Sequence, residues 1–356
     1  MKLDMDRIET GRLFETPILF IIFNRADTTS KVFAAIRRMK PKYLFIAADG
    51  PRPTRPDDRS KCQAARDVVS WIDWSCEVKR LYRDENLGCG PGVASAITWF
   101  FENVTEGIII EDDCLPTESF FYFCAEMLER YRYDTRVMEI GGNNFEPAQK
   151  RSKDYSYYFS ERAYIWGWAT WRRAWQLFNF EMKHYPEIKE KGYLKGHFRH
   201  KYEDEHYEYI HDRMYIGDNV TNRKTVWDYQ WQFTMLINSG LIIVPEANLV
   251  VNLGFGNEAS NTDDPPGAGN NLKGEELEFP LKHPEFMMAD IRRDSWYFDF
   301  ICSSRAYRIR SRIKNVIPKP LFNLALPAYR SIRSILSKRY ARQWSKHVVT
   351  ETPSRV

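Results

Sequence analysis

Three short runs constrain the fold more than any other feature of the chain. PILFIIF (17–23), YLFIAA (43–48) and GIII (107–110) are apolar without a break. A strand with one wet face alternates apolar and polar residues, whereas a strand covered on both faces does not. Each run therefore reads as a strand buried on both sides. Between the first two lies a helical pattern, 28–39. EVKRLY (77–82) reads as a further strand, the glycine-rich segment 88–92 as a turn, and 93–102 and 118–131 as helices. Strand and helix in this rhythm predict an α/β fold on a mostly parallel, doubly wound sheet. In such sheets ligands sit beyond the carboxyl ends of the strands. Asn24 and Arg25, Asp49, and Glu111-Asp112-Asp113 each follow an apolar run. They are expected at one edge of one sheet, although far apart in sequence.

The second half is less regular. Tyr155 to Trp175 is rich in aromatics, and the 3,4 spacing of Trp168, Trp171 and Trp175 suits the buried face of a helix. Residues 183–224 are polar and charged, 225–240 read as helix, 241–251 as strand, and 254–274 as a loop rich in Gly, Asn, Asp and Pro.

The 356 residues suit one large α/β domain with an appendage. The six cysteines form no CxxC pair, which speaks against a zinc ribbon or a thioredoxin-like site, and they are too sparse for a disulfide scaffold. A reducing cytoplasm is the expected compartment. The first residues carry no signal-like apolar stretch, and no window is long and apolar enough to span a bilayer. The net charge of +4 conceals an asymmetry, because 301–350 holds 12 Lys or Arg and no Asp or Glu. The body is thus acidic and the tail basic, which points to an anionic partner for the tail. Ile332, Ile335, Leu336 and Tyr340 share one helical face there, ringed by Arg and Lys. That pattern suits peripheral contact with the inner face of a membrane. No recognition motif for nucleic acid accompanies the charge, and none is expected to bind.

Three consecutive carboxylates repel one another, and after an apolar run they need a cation or solvent to neutralise them. A divalent ion does so, and Mn²⁺ or Mg²⁺ at one or two carboxylates also bridges the oxygens of a diphosphate. IIIEDDCLPTESFFYF around these residues resembles the metal-motif segment of N-acetylglucosaminyltransferase I and its bacterial GT-A relatives. FNRAD followed by IAADGPR is similar to that family's first nucleotide-binding strand and the Asp after the second. VWDYQW (226–231) resembles its Trp-Asp pair, and VPEANLVVNLGFGNEASNT its late strand and loop. The matches keep their order over about 17–262.

The resemblance implies a GT-A, Rossmann-like nucleotide-diphospho-sugar transferase fold. Its parts would be an N-terminal extension (1–16), a catalytic domain (17–295) with a donor-binding half (17–150) and an acceptor half (151–295), and a basic helical tail (296–356). It implies an inverting, metal-assisted hexosyl- or N-acetylhexosaminyltransferase for a bacterial surface polysaccharide. The donor would be a nucleotide-sugar, a UDP-sugar by expectation, and the acceptor a hydroxyl of a glycan or lipid-linked glycan. Asp113 would ligate the metal, Glu111 and Asp112 would contact ribose and donor sugar, Asp49 the base, and Asn24 and Arg25 the nucleotide. Asp228 would be the general base. Where many GT-A enzymes place a late His ligand, this chain has Asn261. Tyr164 or Trp166 would stack on a sugar ring. Simpler readings stand beside these: a turn role for Asp49, an ion pair for Arg25 and a helix-start role for Asp228. A non-catalytic nucleotide-sugar-binding protein, a sugar-nucleotide pyrophosphorylase and a glycoside hydrolase are the rival functions.

Overall fold

The structure is a computed structural model, and it describes residues 13–198, 201–217, 226–254 and 272–299. Asn261 and the tail helix expected around Ile332 to Tyr340 lie outside the described residues.

In chain order the elements are β1 (Ile18–Ile22), α1 (Ala26–Met39), β2 (Tyr43–Ala48), α2 (Asp58–Val68), β3 (Glu77–Tyr82), α3 (Cys89–Asn103), β4 (Glu106–Glu111), β5 (Cys114–Pro116), α4 (Glu118–Arg130) and β6 (Val137–Gly141). There follow β7 (Tyr157–Ser160), β8 (Trp168–Trp171), α5 (Arg172–Trp175), α6 (Tyr185–Glu190), α7 (Lys201–Ile216), α8 (Asp228–Ile237), β9 (Leu241–Pro245), β10 (Val250–Asn252) and α9 (Ile291–Tyr297). Eight strands form one sheet in the order β3-β2-β1-β4-β8-β6-β9-β7, and β10 pairs with β5 in a separate ribbon. β1, β2, β3 and β4 are parallel neighbours, and β6 is parallel to β9. β8 runs antiparallel to both β4 and β6, and β7 antiparallel to β9. The expected α/β fold with a mostly parallel sheet is present, with two reversed strands set into it.

The unbroken apolar runs are explained by cover on both faces. Ile18, Phe20 and Ile22 of β1 and Ile108 and Ile110 of β4 enter a core beneath α1, α2 and α4. Leu19 and Ile109 enter the opposite core, filled from α3, α5 and α8. Each fully buried side chain of this size contributes about 1.5–3 kcal/mol, so both faces of these strands hold the sheet in register. α1 stops at Lys40, which turns left-handed (φ 48°) and donates its N–H to the carbonyl of Arg37. The first N–H groups of α4 are capped from a distance, Ser119 N donating to Glu276 Oε2 at 2.8 Å.

Three local expectations are corrected. The glycines at 90 and 92 lie inside α3, which begins at Cys89 rather than after a turn. Pro91 is tolerated there because the first turn of a helix has no acceptor for its missing N–H. Trp168, Trp171 and Trp175 do not share a helix: the first two open and close β8, with Trp168 in one core and Trp171 in the other. Residues 241–251 are two strands, not one, broken at 246–249. The folded body also runs past both expected domain edges. Phe14 bridges to Pro41 and meets Phe121 edge-on, and Phe298 is buried. Among the described residues, no helix is long and apolar enough to cross a membrane.

Candidate active site

The parallel order carries the carboxyl ends of β2, β1 and β4 to one edge, and the sequence-selected residues of the donor half meet there. Glu111 ends β4, and Asp112 and Asp113 follow it. Asp112 is 2% exposed. One of its oxygens accepts from the Phe23 backbone N–H at 3.0 Å, the other from Arg25 at 2.7 Å. The second arm of the Arg25 guanidinium reaches Asp113 at 2.9 Å. Arg25 thus supplies one positive charge, shared between Asp112 and Asp113. It does not pair with its neighbour Asp27, and it ties the β1 exit to the β4 exit. Burial lowers the proton affinity of a guanidinium, but Asp112 and Asp113 outweigh it and hold Arg25 firmly charged. Burial, followed by the charges of Asp113 and Asp112, pushes the Glu111 carboxyl up. Burial also raises Asp112, with Arg25 opposing.

The β10–β5 ribbon closes the other side of this cluster. Asn252 pairs with Cys114, and Leu253 N donates to the Asp113 carbonyl at 2.7 Å. Gly254 lies so close that a Cβ on it would collide with Asp113 Oδ2.

Asp228 lies close enough to the cluster for its charge to be felt by Glu111. It is the first residue of α8, and its charge is one of those that raise Glu111. Its Oδ1 is buried and has no hydrogen-bond partner among the described residues. Burial pushes its pKa up, partly offset by the backbone N–H of Tyr229. Trp227 is buried before it and stacks on Trp168 at 5.5 Å.

Asp49 and Asn24 stand at the same edge in a different condition. The Asp49 carboxylate accepts from the N–H groups of Gly50, Leu87 and Gly88 and from Asn86 Nδ2, all at 3.0–3.1 Å. Those donors fasten the β3–α3 loop to the β2 exit and fill the lone pairs that a base would need. This is the arrangement of the turn role weighed for Asp49 beside base reading. Asn24 donates to Asp58 at 2.9 Å, and Asp58 also binds Arg52 Nη2 at 2.9 Å, which holds its carboxyl down at about 2. Asn24 is thus committed to bracing the loop after β2.

Other residues that sequence reasoning passed over position Asp228. Glu139, fully buried in β6, accepts from Tyr164 N at 2.6 Å and from Trp231 Nε1 at 2.7 Å, and burial pushes it up to about 7. Gln232 accepts from Ala163 N at 2.6 Å and donates to the Glu161 carbonyl at 2.9 Å. α8 is strapped to the 161–164 segment at both points. A glutamate breaking the apolar pattern of VMEIG was the only sequence signal for this. Tyr164 is buried, so of the two aromatics considered for a sugar ring only Trp166 keeps exposed surface.

Among the described residues, no three His, Cys, Asp or Glu side chains form a metal-holding group. Asp113, with 17% of its side chain exposed, and Glu111 are the two part-exposed carboxylates of the triplet, and Arg25 already engages Asp113 Oδ2. Among the described residues Asp113 Oδ1 meets the Cys114 thiol, at 3.4 Å. These residues fit a divalent ion carried mainly by a diphosphate and touched by Asp113, not a dedicated protein cage.

No family model matches the chain. No curated protein matches it either. Among solved structures, the chain is similar to 4-diphosphocytidyl-2C-methyl-D-erythritol synthase from Anaerococcus prevotii, over 63% of this chain and 98% of that one, at 11% identity and a TM-score of 0.27. A likeness this distant says nothing of what the chain binds. The α/β fold with its mostly parallel sheet stands on the strand order itself.

Proposed function

We propose that the chain is an inverting, metal-assisted glycosyltransferase of the GT-A type, which moves a sugar from a UDP-sugar to a hydroxyl of a glycan or lipid-linked acceptor. The observation that carries this reading is Asp228: a part-buried carboxylate whose buried Oδ1 has no partner among the described residues, and whose charge is felt by Glu111 of the carboxylate cluster at the sheet edge. A base of this kind needs a raised pKa and an open lone pair; burial raises the Asp228 carboxyl, and among the described residues nothing occupies its Oδ1. It takes the acceptor's proton as the hydroxyl attacks the anomeric carbon, opposite the departing diphosphate. Attack from that face inverts the centre. Mn²⁺ or Mg²⁺, when bound with the donor, would neutralise charge on the leaving diphosphate. Asp113 would touch the ion, while Arg25 holds Asp112 and Asp113 in place. Glu111, partly exposed and with a raised pKa, faces the donor as a hydrogen-bonding group.

A non-catalytic nucleotide-sugar-binding protein would keep the edge but leave Asp228 idle. A pyrophosphorylase would need a glycine-rich loop with Arg or Lys directly after β1, and FNRADTT is not one. Thermal-shift titration with UDP and UDP-sugars, with and without Mn²⁺, tests the reading. Stabilisation by a UDP species that vanishes in Asp113→Ala supports it. If no nucleotide binds the wild-type chain, the reading is wrong. Peripheral membrane attachment through the 301–350 tail belongs to the same proposal and is tested by cosedimentation with anionic vesicles.

A further inference from the structure

Asn143 is the most anomalous polar residue among those described. It follows β6, it is 1% exposed, and neither its Oδ1 nor its Nδ2 has a hydrogen-bond partner among the described residues. Leaving one buried amide atom unpaired is costly, and leaving both is rare in a native fold. Its neighbour Asn144 shows the ordinary case: Nδ2 donates to the Pro245 carbonyl at 2.7 Å and Oδ1 accepts from Glu146 N at 2.9 Å.

The location of this amide is informative. β6 is two strands from β4, about 10 Å across the sheet, and ends at the same edge as the carboxylate cluster. Residues on either side of Asn143 define the face. A Cβ on Gly141 would meet Tyr164, and Phe145 packs on Trp166 at 4.9 Å. A Cβ on Gly142 would meet Phe120 and Val250, and the Asn144 side chain reaches the Pro245 carbonyl. Gly141 also pairs with Trp168, whose ring stacks on Trp227, the residue before Asp228. Trp168 Nε1 and Asp228 Oδ1 also have no hydrogen-bond partner among the described residues. Unpaired buried polar atoms thus recur from the β6 exit to the start of α8, beside the half-exposed ring of Trp166.

We infer that Asn143 is a sugar-binding residue whose carboxamide grips two adjacent hydroxyls of the donor's pyranose ring; the inference rests on the proposed nucleotide-sugar site. A planar amide offers an acceptor and a donor side by side, and a vicinal diol offers the complementary pair. A neutral amide suits a neutral polyol rather than a phosphate. Its depth favours the ring held at the sheet edge over an acceptor arriving from solvent. The cost of the bare amide in the empty protein is offset when the sugar binds, as at sites where stability is traded for function.

The test is Asn143→Leu, which keeps the volume and removes both polar atoms. Wild-type and variant are titrated with UDP, and with UDP-hexoses and UDP-N-acetylhexosamines, in Mn²⁺. UDP is expected to bind both equally. The gain in affinity of the preferred UDP-sugar over UDP should fall at least tenfold in the variant, while its melting temperature without ligand equals or exceeds that of wild type. An unchanged gain overturns the inference and assigns the amide to an internal water. Should Asn143→Leu not fold, Asn143→Ala is read against the same two outcomes. Wild-type protein that binds neither UDP nor any UDP-sugar refutes the nucleotide-sugar reading itself, which no result on the variant alone does.

Discussion

Asp49 and Asp228 sit at neighbouring ends of the same architecture, and their surroundings are opposite. Asp49 leaves β2 and is filled by four separate donors of its own chain. Asp228 opens α8 with one oxygen buried and bare. Between these extremes stand Asp112 and Asp113, which Arg25 neutralises. Position at the sheet edge is therefore not enough to assign chemistry. A carboxylate whose lone pairs are spent on its own chain has none to offer a ligand, and one with an open lone pair has.

Stability measurements can break this contrast, and the largest effect is expected at Arg25. Arg25→Gln leaves Asp112 and Asp113 buried without a counter-charge, at a cost of about 4 kcal/mol. Millimolar Mn²⁺ should recover part of that loss in urea melts; no recovery would mean that a metal does not reach Asp113. Asp49→Ala strands the donors of the β3–α3 loop and should cost about 3 kcal/mol. A cost below 1 kcal/mol would return Asp49 to the list of ligand-binding residues.

How legible each residue was in the sequence follows from the same physics. β1, β2 and β4 were readable because cover on both faces demands unbroken apolar runs. β6 was not, since the buried Glu139 interrupts it, and α2 (DRSKCQAARDV) is too polar to announce a buried face. The Trp spacing of β8 imitated a helix because a strand buried on both faces leaves no period of its own. At the candidate site, the gathering of Glu111 to Asp113 and Arg25 at one sheet edge was legible from their place after apolar runs, whereas the empty hydrogen-bond positions of Asn143 become visible only in three dimensions.

α7 supplies a pH-dependent test of the same accounting. His211 is fully buried against Tyr185 and Phe233, neither ring nitrogen has a partner among the described residues, and burial holds its pKa down at about 3. The unfolded chain takes up a proton near pH 6.5 and the folded one does not, so stability falls as pH drops below 6.5. This one group should remove about 2 kcal/mol between pH 7 and pH 5. His211→Phe should flatten that acid limb in chemical denaturation; an unaltered limb would show that His211 is protonated without penalty. The smallest stability change is expected at Asp228 itself. Asp228→Asn should shift unfolding by less than about 1 kcal/mol or stabilise the fold, because it removes a charge that burial disfavours and whose Oδ1 has no partner among the described residues. A loss as large as that of Asp49→Ala would make Asp228 structural.

Turnover of Asp228→Asn tests the central claim most directly. UDP release from the preferred UDP-sugar, with an acceptor glycan present, is measured beside UDP binding in wild-type and variant protein. The account predicts unchanged UDP binding and transfer slower by about a thousandfold. Wild-type turnover in Asp228→Asn would contradict it.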